Sequence, residues 1–272
     1  DGTPVSSWRP NVPALTTDLS PSPAGDRVHL SGYFDRVNGD TTAGYFATLD
    51  ATTGAVLPGQ APLQPSSPNG KKYQQAVLEM GDRVVVGGSE HSLHQVRRSD
   101  RALLAAHITV NGGDTQAIAA VHGLVAATCH CYGWTYEFTN AWPTPTNYSR
   151  VDPINGLALY DAATFSHLES FHPSGLAGSS SNDGIWSLDT DADECLWFAG
   201  DEVRRGYSGD ATADWLGNFG RFCPEDQTVP TAPGAPTATS YDTSVTLRWA
   251  PSSDPSGAPE YWVYRDGRVI GT

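Results

Sequence analysis

Over the first 225 residues the apolar positions fall in short runs, each closed by small residues and separated from the next by a polar turn. Four segments share one order, a polar turn, an apolar run and a small-residue pair. They are Arg27-Val-His-Leu-Ser-Gly-Tyr-Phe34, Arg83-Val-Val-Val-Gly-Gly-Ser-Glu90, Gly123-Leu-Val-Ala-Ala-Thr-Cys-His130 and Cys195-Leu-Trp-Phe-Ala-Gly-Asp-Glu202. Because the apolar residues run together instead of alternating, each reads as a strand covered on both faces. The small residues at its end let neighbouring backbones approach. Ahead of each lies another apolar segment (Leu15 to Leu19, Ala76 to Leu78, Ala117 to Val121, Ile185 to Leu188), joined through turns such as Ala24-Gly25-Asp26 and Gly81-Asp82. A third strand with its own turn follows, clearest at Tyr45 to Gly54 and Leu157 to Thr164. A more irregular fourth comes next, at Ala55-Val-Leu-Pro and His167-Leu-Glu-Ser-Phe. Four strands per module, recurring at roughly 40 to 70 residues, predict an all-β chain of four β-propeller blades. A β-sandwich also has many short strands, but it gives no reason for one strand–turn–strand–Gly order to recur.

Val28 to Gly39 followed by Phe46 to Gly54 resembles the delta-sixty repeat of secreted bacterial propellers, especially actinobacterial ones. The resemblance covers roughly residues 1–225, strongest in the first and last modules, and implies a propeller and a secreted or cell-surface location without implying an activity. Residues 1–226 are read as the propeller or a fragment of one. Residues 227–236, with Thr-Val-Pro-Thr-Ala-Pro-Gly-Ala-Pro, are read as a stiff Pro-rich linker. Beyond it, Val245, Leu247 and Trp249 alternate onto one face, and Asp266-Gly267 marks a hairpin. Residues 237–272 are similar to the first half of a fibronectin type III β-sandwich, on the second-strand Trp249 and the third-strand Tyr261-Trp-Val-Tyr-Arg-Asp-Gly267. Half a sandwich exposes its core, so the expectation is either that the polypeptide continues or that the remainder was lost. Val5-Ser-Ser-Trp-Arg-Pro reads as the last strand of a blade. Either it completes the final module and closes a four-bladed ring, or further blades precede it in a larger ring; the second reading is favoured.

Sixteen Lys and Arg against 30 Asp and Glu leave a formal charge of −14. That balance disfavours nucleic acid and anionic lipid as partners, because a phosphate-binding surface must supply cations. No run of 18 apolar residues exists for membrane insertion. Four Cys in an acidic, Gly- and Pro-rich chain suggest oxidation outside the cytoplasm. Cys195 and Cys223 bound neighbouring strand ends and suit one bridge, which leaves Cys129 and Cys131. For that Cys-His-Cys tripeptide a local disulfide is favoured over a zinc or copper site completed by His130.

In a propeller, equivalent strand ends converge on one rim. Rim candidates for acid–base or cation chemistry are therefore Glu90, His91, His130, Asp201 and Glu202, with Asp35 as a binding residue beside them. Trp134, Tyr136 and Trp142, read as lying in an insertion between strands, are candidates for stacking on sugar rings or packing on a partner. Asp189, Asp191 and Asp193 are spaced like a calcium loop, the only cofactor suggested. Glu194 replaces the turn Gly of such a loop, and a hairpin turn is the competing reading. No nucleophile elbow, phosphate loop or His-Glu-x-x-His motif is present. The expected function is non-catalytic binding of an extracellular polysaccharide or protein. A carbohydrate-active hydrolase or lyase with its site at the rim is the competing class, and a structural spacer of a surface or phage assembly is the third.

Overall fold

A computed structural model describes residues 3, 5–63, 72–89, 91–111, 113–171, 173, 176, 183–201, 204–205, 214–215, 218–223, 230–255, 259 and 261–271. The regular elements of the described chain are strands apart from one 3-10 turn at Thr41–Ala43, and no helix among these residues is long and apolar enough to cross a membrane. The first meander comprises β1 (Thr16–Pro21), β2 (Arg27–Gly32) and β3 (Phe46–Asp50). The second comprises β4 (Gln74–Met80), β5 (Arg83–Gly88), β6 (Ser92–Arg97) and β7 (Leu103–Val110). The third comprises β8 (Thr115–Val121), β9 (Leu124–Glu137) and β10 (Val151–Asp161). In the fourth, β11 (Ile185–Thr190) and β12 (Leu196–Gly200) are followed by the short pair β13 (Arg204–Arg205) and β14 (Asp214–Trp215), and β15 (Phe219–Phe222) then pairs with β12. Two hairpins end the chain, β16 (Thr237–Ser240) with β17 (Val245–Arg248), and β18 (Val263–Arg265) with β19 (Arg268–Gly271).

The repeat read from the sequence is present in register. Each first strand carries an irregularity one step from its start, at Thr16/Asp18, Gln74/Ala76, Thr115/Ala117 and Ile185/Ser187. Gly25 and Gly81 take φ of +70° and +61° in the turns that follow the first two of these strands, a conformation open to glycine without steric cost. Asp50 and Asp161 end the third strands of modules one and three with the same device. Each Oδ1 accepts the backbone N–H groups two and three residues on, together with the hydroxyl of Thr53 or Thr164.

The modules stack by their first strands: β4 packs across β1 and β2, β8 across β4 and β5, and β11 across β8 and β9. Meanders stacked in this way are propeller blades, so the fold is an all-β propeller arc. No contact of comparable extent joins β11 back to β1. Apolar clusters fill the three junctions. One joins Phe46 to Val77, Val84 and Val86; a second holds Val85, Leu93, Val125 and Ile154; a third holds Ala126, Leu157, Ile185 and Phe198. A buried polar stitch reinforces the first junction. Glu79 of β4 accepts from Ser22 Oγ at 2.7 Å and Arg98 Nε at 2.8 Å, and its Oε2 lies 2.7 Å from His29 Nε2.

Several details depart from the sequence reading. The fourth strands of modules one and three shrink to single bridges, Leu49 to Val56 and Tyr160 to His167. Tyr132, Trp134 and Tyr136 lie within the 14-residue β9, which runs from its own module onto β7, and not in an inserted loop. The Val5 to Pro10 segment is no strand and does not complete the last module. Trp8 Nε1 donates to Asp50 O at 3.2 Å, and the Trp8 ring packs on the first module's core. The β18–β19 hairpin lies against the third module: β19 pairs in parallel with β10 at Val151 and Arg268, and Tyr264 Oη donates to Asp152.

Candidate functional site at the blade rim

In an antiparallel hairpin, the start of the first strand and the end of the second share one end. Four modules therefore present eight such strand ends on one rim. Tyr33 follows β2, Tyr73 precedes β4, His91 follows β5, Asp114 precedes β8, His130 lies in β9, Trp186 in β11, and Asp201 follows β12. The rings of Tyr33 and Tyr73 stack at 4.3 Å and 14°. Tyr73 Oη donates to Asp114 Oδ2, and Asp114 N donates to His130 Nε2 at 3.1 Å. The His130 ring lies 5.7 Å from Trp186, whose Nε1 donates to Asp201 Oδ2 at 2.6 Å. On the inner side, His91 lies 5.2 Å from the Trp142 ring, with Nδ1 3.2 Å from Thr109 O. One continuous line of rings and polar groups thus crosses all four modules, with Tyr33 and Trp186 as exposed rings near its two ends (44% and 42%).

The rim pairs ring donors with carboxylate and imidazole acceptors. Burial holds the His91 imidazole below its usual range, and His130 adds to this, while Asp114 and the Thr109 carbonyl act in the opposite direction. Burial and the bond to Asp114 both push the Tyr73 hydroxyl up, so it remains a donor. Because His130 Nε2 accepts from a backbone N–H, its neutral tautomer carries the proton on Nδ1. Gly113 makes room for this ring: a Cβ there would stand 1.6 Å from His130 Cε1.

The residues singled out in the sequence scatter more widely. His91, His130, Asp201 and Trp142 are on or beside this line. Glu90 and Glu202 lie outside the described residues. Asp35 is exposed and pairs with its neighbour Arg36 at 3.1 Å. Trp134 faces Arg268 of the terminal hairpin at 5.5 Å, and Tyr136 packs edge-on against Tyr148 at 5.0 Å, so neither reaches the rim line. Tyr73, Asp114 and Trp186 stand at first-strand starts, outside the repeated second-strand ends that mark the other rim candidates.

Asp189, Asp191 and Asp193, the residues spaced like a calcium loop, lie at the turn between β11 and β12. Asp191 Oδ1 accepts from Asp193 N and Cys195 N at 3.0 and 2.9 Å, and its Oδ2 from Trp197 Nε1 at 2.7 Å. Asp189 caps Thr190 N at 2.8 Å, so this is a hydrogen-bonded hairpin turn. Cys195–Cys223 and Cys129–Cys131 are both bridged, which removes the thiolates that a zinc or copper site would need. Among the described residues, the one group of side chains close enough to share an ion is Glu137, Asp152 and His167. Arg150 already occupies it, with its guanidinium 2.7 Å from Glu137 and 2.9 Å from Asp152.

No family model matches the sequence, and no curated protein matches it. Solved structures that align with it, WD40 domains among them, do so at low similarity. The WD40 domain of Doa1 aligns at 9% identity and TM-score 0.43, covering 79% of this chain and 52% of that one. The RRP9 WD40 repeats align at 11% and 0.46, covering 70% and 48%. The computationally designed Ika4 protein aligns at 12% and 0.43, covering 70% and 87%. The chain spans about half the length of these WD40 chains. At such distances they lend no argument about role, and the architecture above rests on strand pairing and packing.

Proposed function

We propose that the chain is a non-catalytic binding module of a secreted or cell-surface protein, and that its rim holds a neutral polysaccharide. The observation that carries this reading is the Tyr33–Tyr73–Asp114–His130–Trp186–Asp201 line, in which ring faces alternate with fixed donors and acceptors. Sugar rings offer apolar faces flanked by hydroxyls, and partly exposed aromatics with polar neighbours complement both. A charge of −14 argues for a neutral glycan over an anionic one. Asp114 and Asp201 are each bound to a ring donor, so neither stands free as an acid or base, which favours binding over hydrolysis. The delta-sixty and fibronectin type III resemblances belong to the same proposal, as a surface module joined to a spacer domain at residues 237–272.

Titration calorimetry with soluble neutral polysaccharides tests this reading. Trp186→Ala and Tyr33→Ala should each weaken binding about tenfold, the effect of losing roughly 1.4 kcal/mol of stacking, with unchanged melting temperature. Binding indifferent to both substitutions, or capture of a protein and no glycan, would remove the rim from this role. Release of reducing ends that stops on Asp201→Asn would replace binding by catalysis.

A further inference from the structure

The strand β9 changes partners at a bridged bulge. Up to Cys129 one of its edges pairs with β8, and from Trp134 that edge pairs with β7 of the preceding module. The other edge stays on β10. Between the pairs Thr128–Leu157 and Tyr132–Asn155, however, the three residues Cys129-His130-Cys131 face the single residue Gly156. Gly156 takes φ of +71°, a conformation that glycine enters without steric cost. The disulfide spans this bulge. Its two Cα atoms stand 5.2 Å apart, against about 6.6 Å for two steps of regular strand. Both cysteines are buried in the apolar cluster of the second junction, with Val85, Leu93 and Ile154. His130 is turned out of that cluster into a slot walled by Gly113 and Gly184, where a Cβ on either glycine would clash with it. In the slot its Nε2 takes the Asp114 N–H and its ring meets Trp186.

A bridge between residues two apart constrains the unfolded chain little, so its contribution to global stability is small. What it fixes is local. With Cys129 and Cys131 tied, the bulge cannot be drawn out into regular strand, and His130 cannot leave its slot. We infer that the Cys129–Cys131 bridge is a positioning device for the rim: it locks the bulge of β9 and thereby holds His130 between Asp114 N and Trp186. The consequence for glycan binding rests on the reading of the rim proposed above; the consequence for the His130 ring does not.

Two double variants without the bridge test it, Cys129→Ala with Cys131→Ala and Cys129→Ser with Cys131→Ser. Nitrogen NMR of the histidine rings is recorded at about pH 8, where ordinary imidazoles are neutral, and the His130 signals are assigned by their loss in His130→Gln. In the parent, Nδ1 of His130 should carry the proton and Nε2 should be the bare acceptor. In both double variants the ring should move to the mixture of tautomers that a free imidazole shows, and binding of a neutral polysaccharide should weaken about tenfold. An unchanged His130 tautomer in both pairs overturns the inference, whatever the glycan does. A change confined to the Ser pair also overturns it, because buried hydroxyls and not the lost bridge would then be the cause. So does a melting temperature lowered by more than about 10 °C in both pairs, which would make the bridge a prop of the whole fold. A changed tautomer with glycan binding intact supports the positioning role and counts against the glycan reading of the rim alone.

Discussion

Gly113 shows how closely the rim depends on single atoms. The His130 imidazole occupies the space a methyl group would take, so Gly113→Ala must swing the ring away from Asp114 N and Trp186. The ring is the free end of a partly exposed side chain and can move at modest cost. The expected outcome is lost glycan binding with a melting temperature within a few degrees of the parent, read by calorimetry and thermal unfolding. His130, His91 and Asp201 could be found from the sequence because they follow equivalent apolar runs. Asp114 and Tyr73 could not be found that way, since they precede strands, where no apolar pattern marks the position. At Asp191 the regular acidic spacing suits an ion and a tight turn equally, and the turn's bonds from Cys195 N and Trp197 Nε1 are what the structure adds.

At the level of elements, the seams between modules carry the polar investment. Burial acts to raise the Glu79 pKa, but hydrogen bonds from Arg98, His29 and Ser22 outweigh it and hold the carboxylate ionised. Glu79→Ala leaves Arg98 and His29 facing a buried gap. It should cost roughly 3–5 kcal/mol in urea unfolding, the usual consequence of removing one partner from a buried pair. A loss under 1 kcal/mol would show the seam to be held by Val77 and Phe46 alone. The two bridges should differ in the same assay. Cys195–Cys223 closes a separation of 28 residues, for which chain entropy gives about 3–4 kcal/mol, while Cys129–Cys131 closes one of two residues and constrains the unfolded chain little. Cys195→Ser with Cys223→Ser should therefore loosen the fourth module, seen as faster proteolysis there, and the Cys129/Cys131 pair of substitutions should not. The pairing of Cys195 with Cys223 was readable because both bound predicted strands. The length of β9 was not, since a strand serving two modules in succession has no single periodicity.

Over the whole molecule, blade order was legible because each module repeats one short pattern. What covers the outer faces of the first and last modules was not, because no pattern along the chain marks what would pack on exposed Leu19 or Phe219. The stability of the whole should fall in mild acid. Burial holds His94 to about 4, and holds His107, which bonds Phe165 O, to about 3. Both lie below the ordinary 6.5, so the unfolded chain takes up protons that the folded chain refuses. Their full contribution is present above pH 6.5 and is lost as the pH drops towards their folded values, by about 1.4 kcal/mol per pH unit for each imidazole. Between pH 7 and 5 the loss should total roughly 4 kcal/mol in urea unfolding. His107→Gln should halve that slope, and a flat profile would mean that these rings open to water.

The parallel contact between β19 and β10 has a mechanical side. Tension applied at the C-terminal end would enter through the Tyr264–Asp152 and Val151–Arg268 contacts and be borne by the third blade, while the intervening polypeptide hangs slack. The last blade, with its Cys195–Cys223 staple, would be spared until that clasp peels away. A pulling experiment should then show an early, low-force step that lengthens the tether before any blade gives.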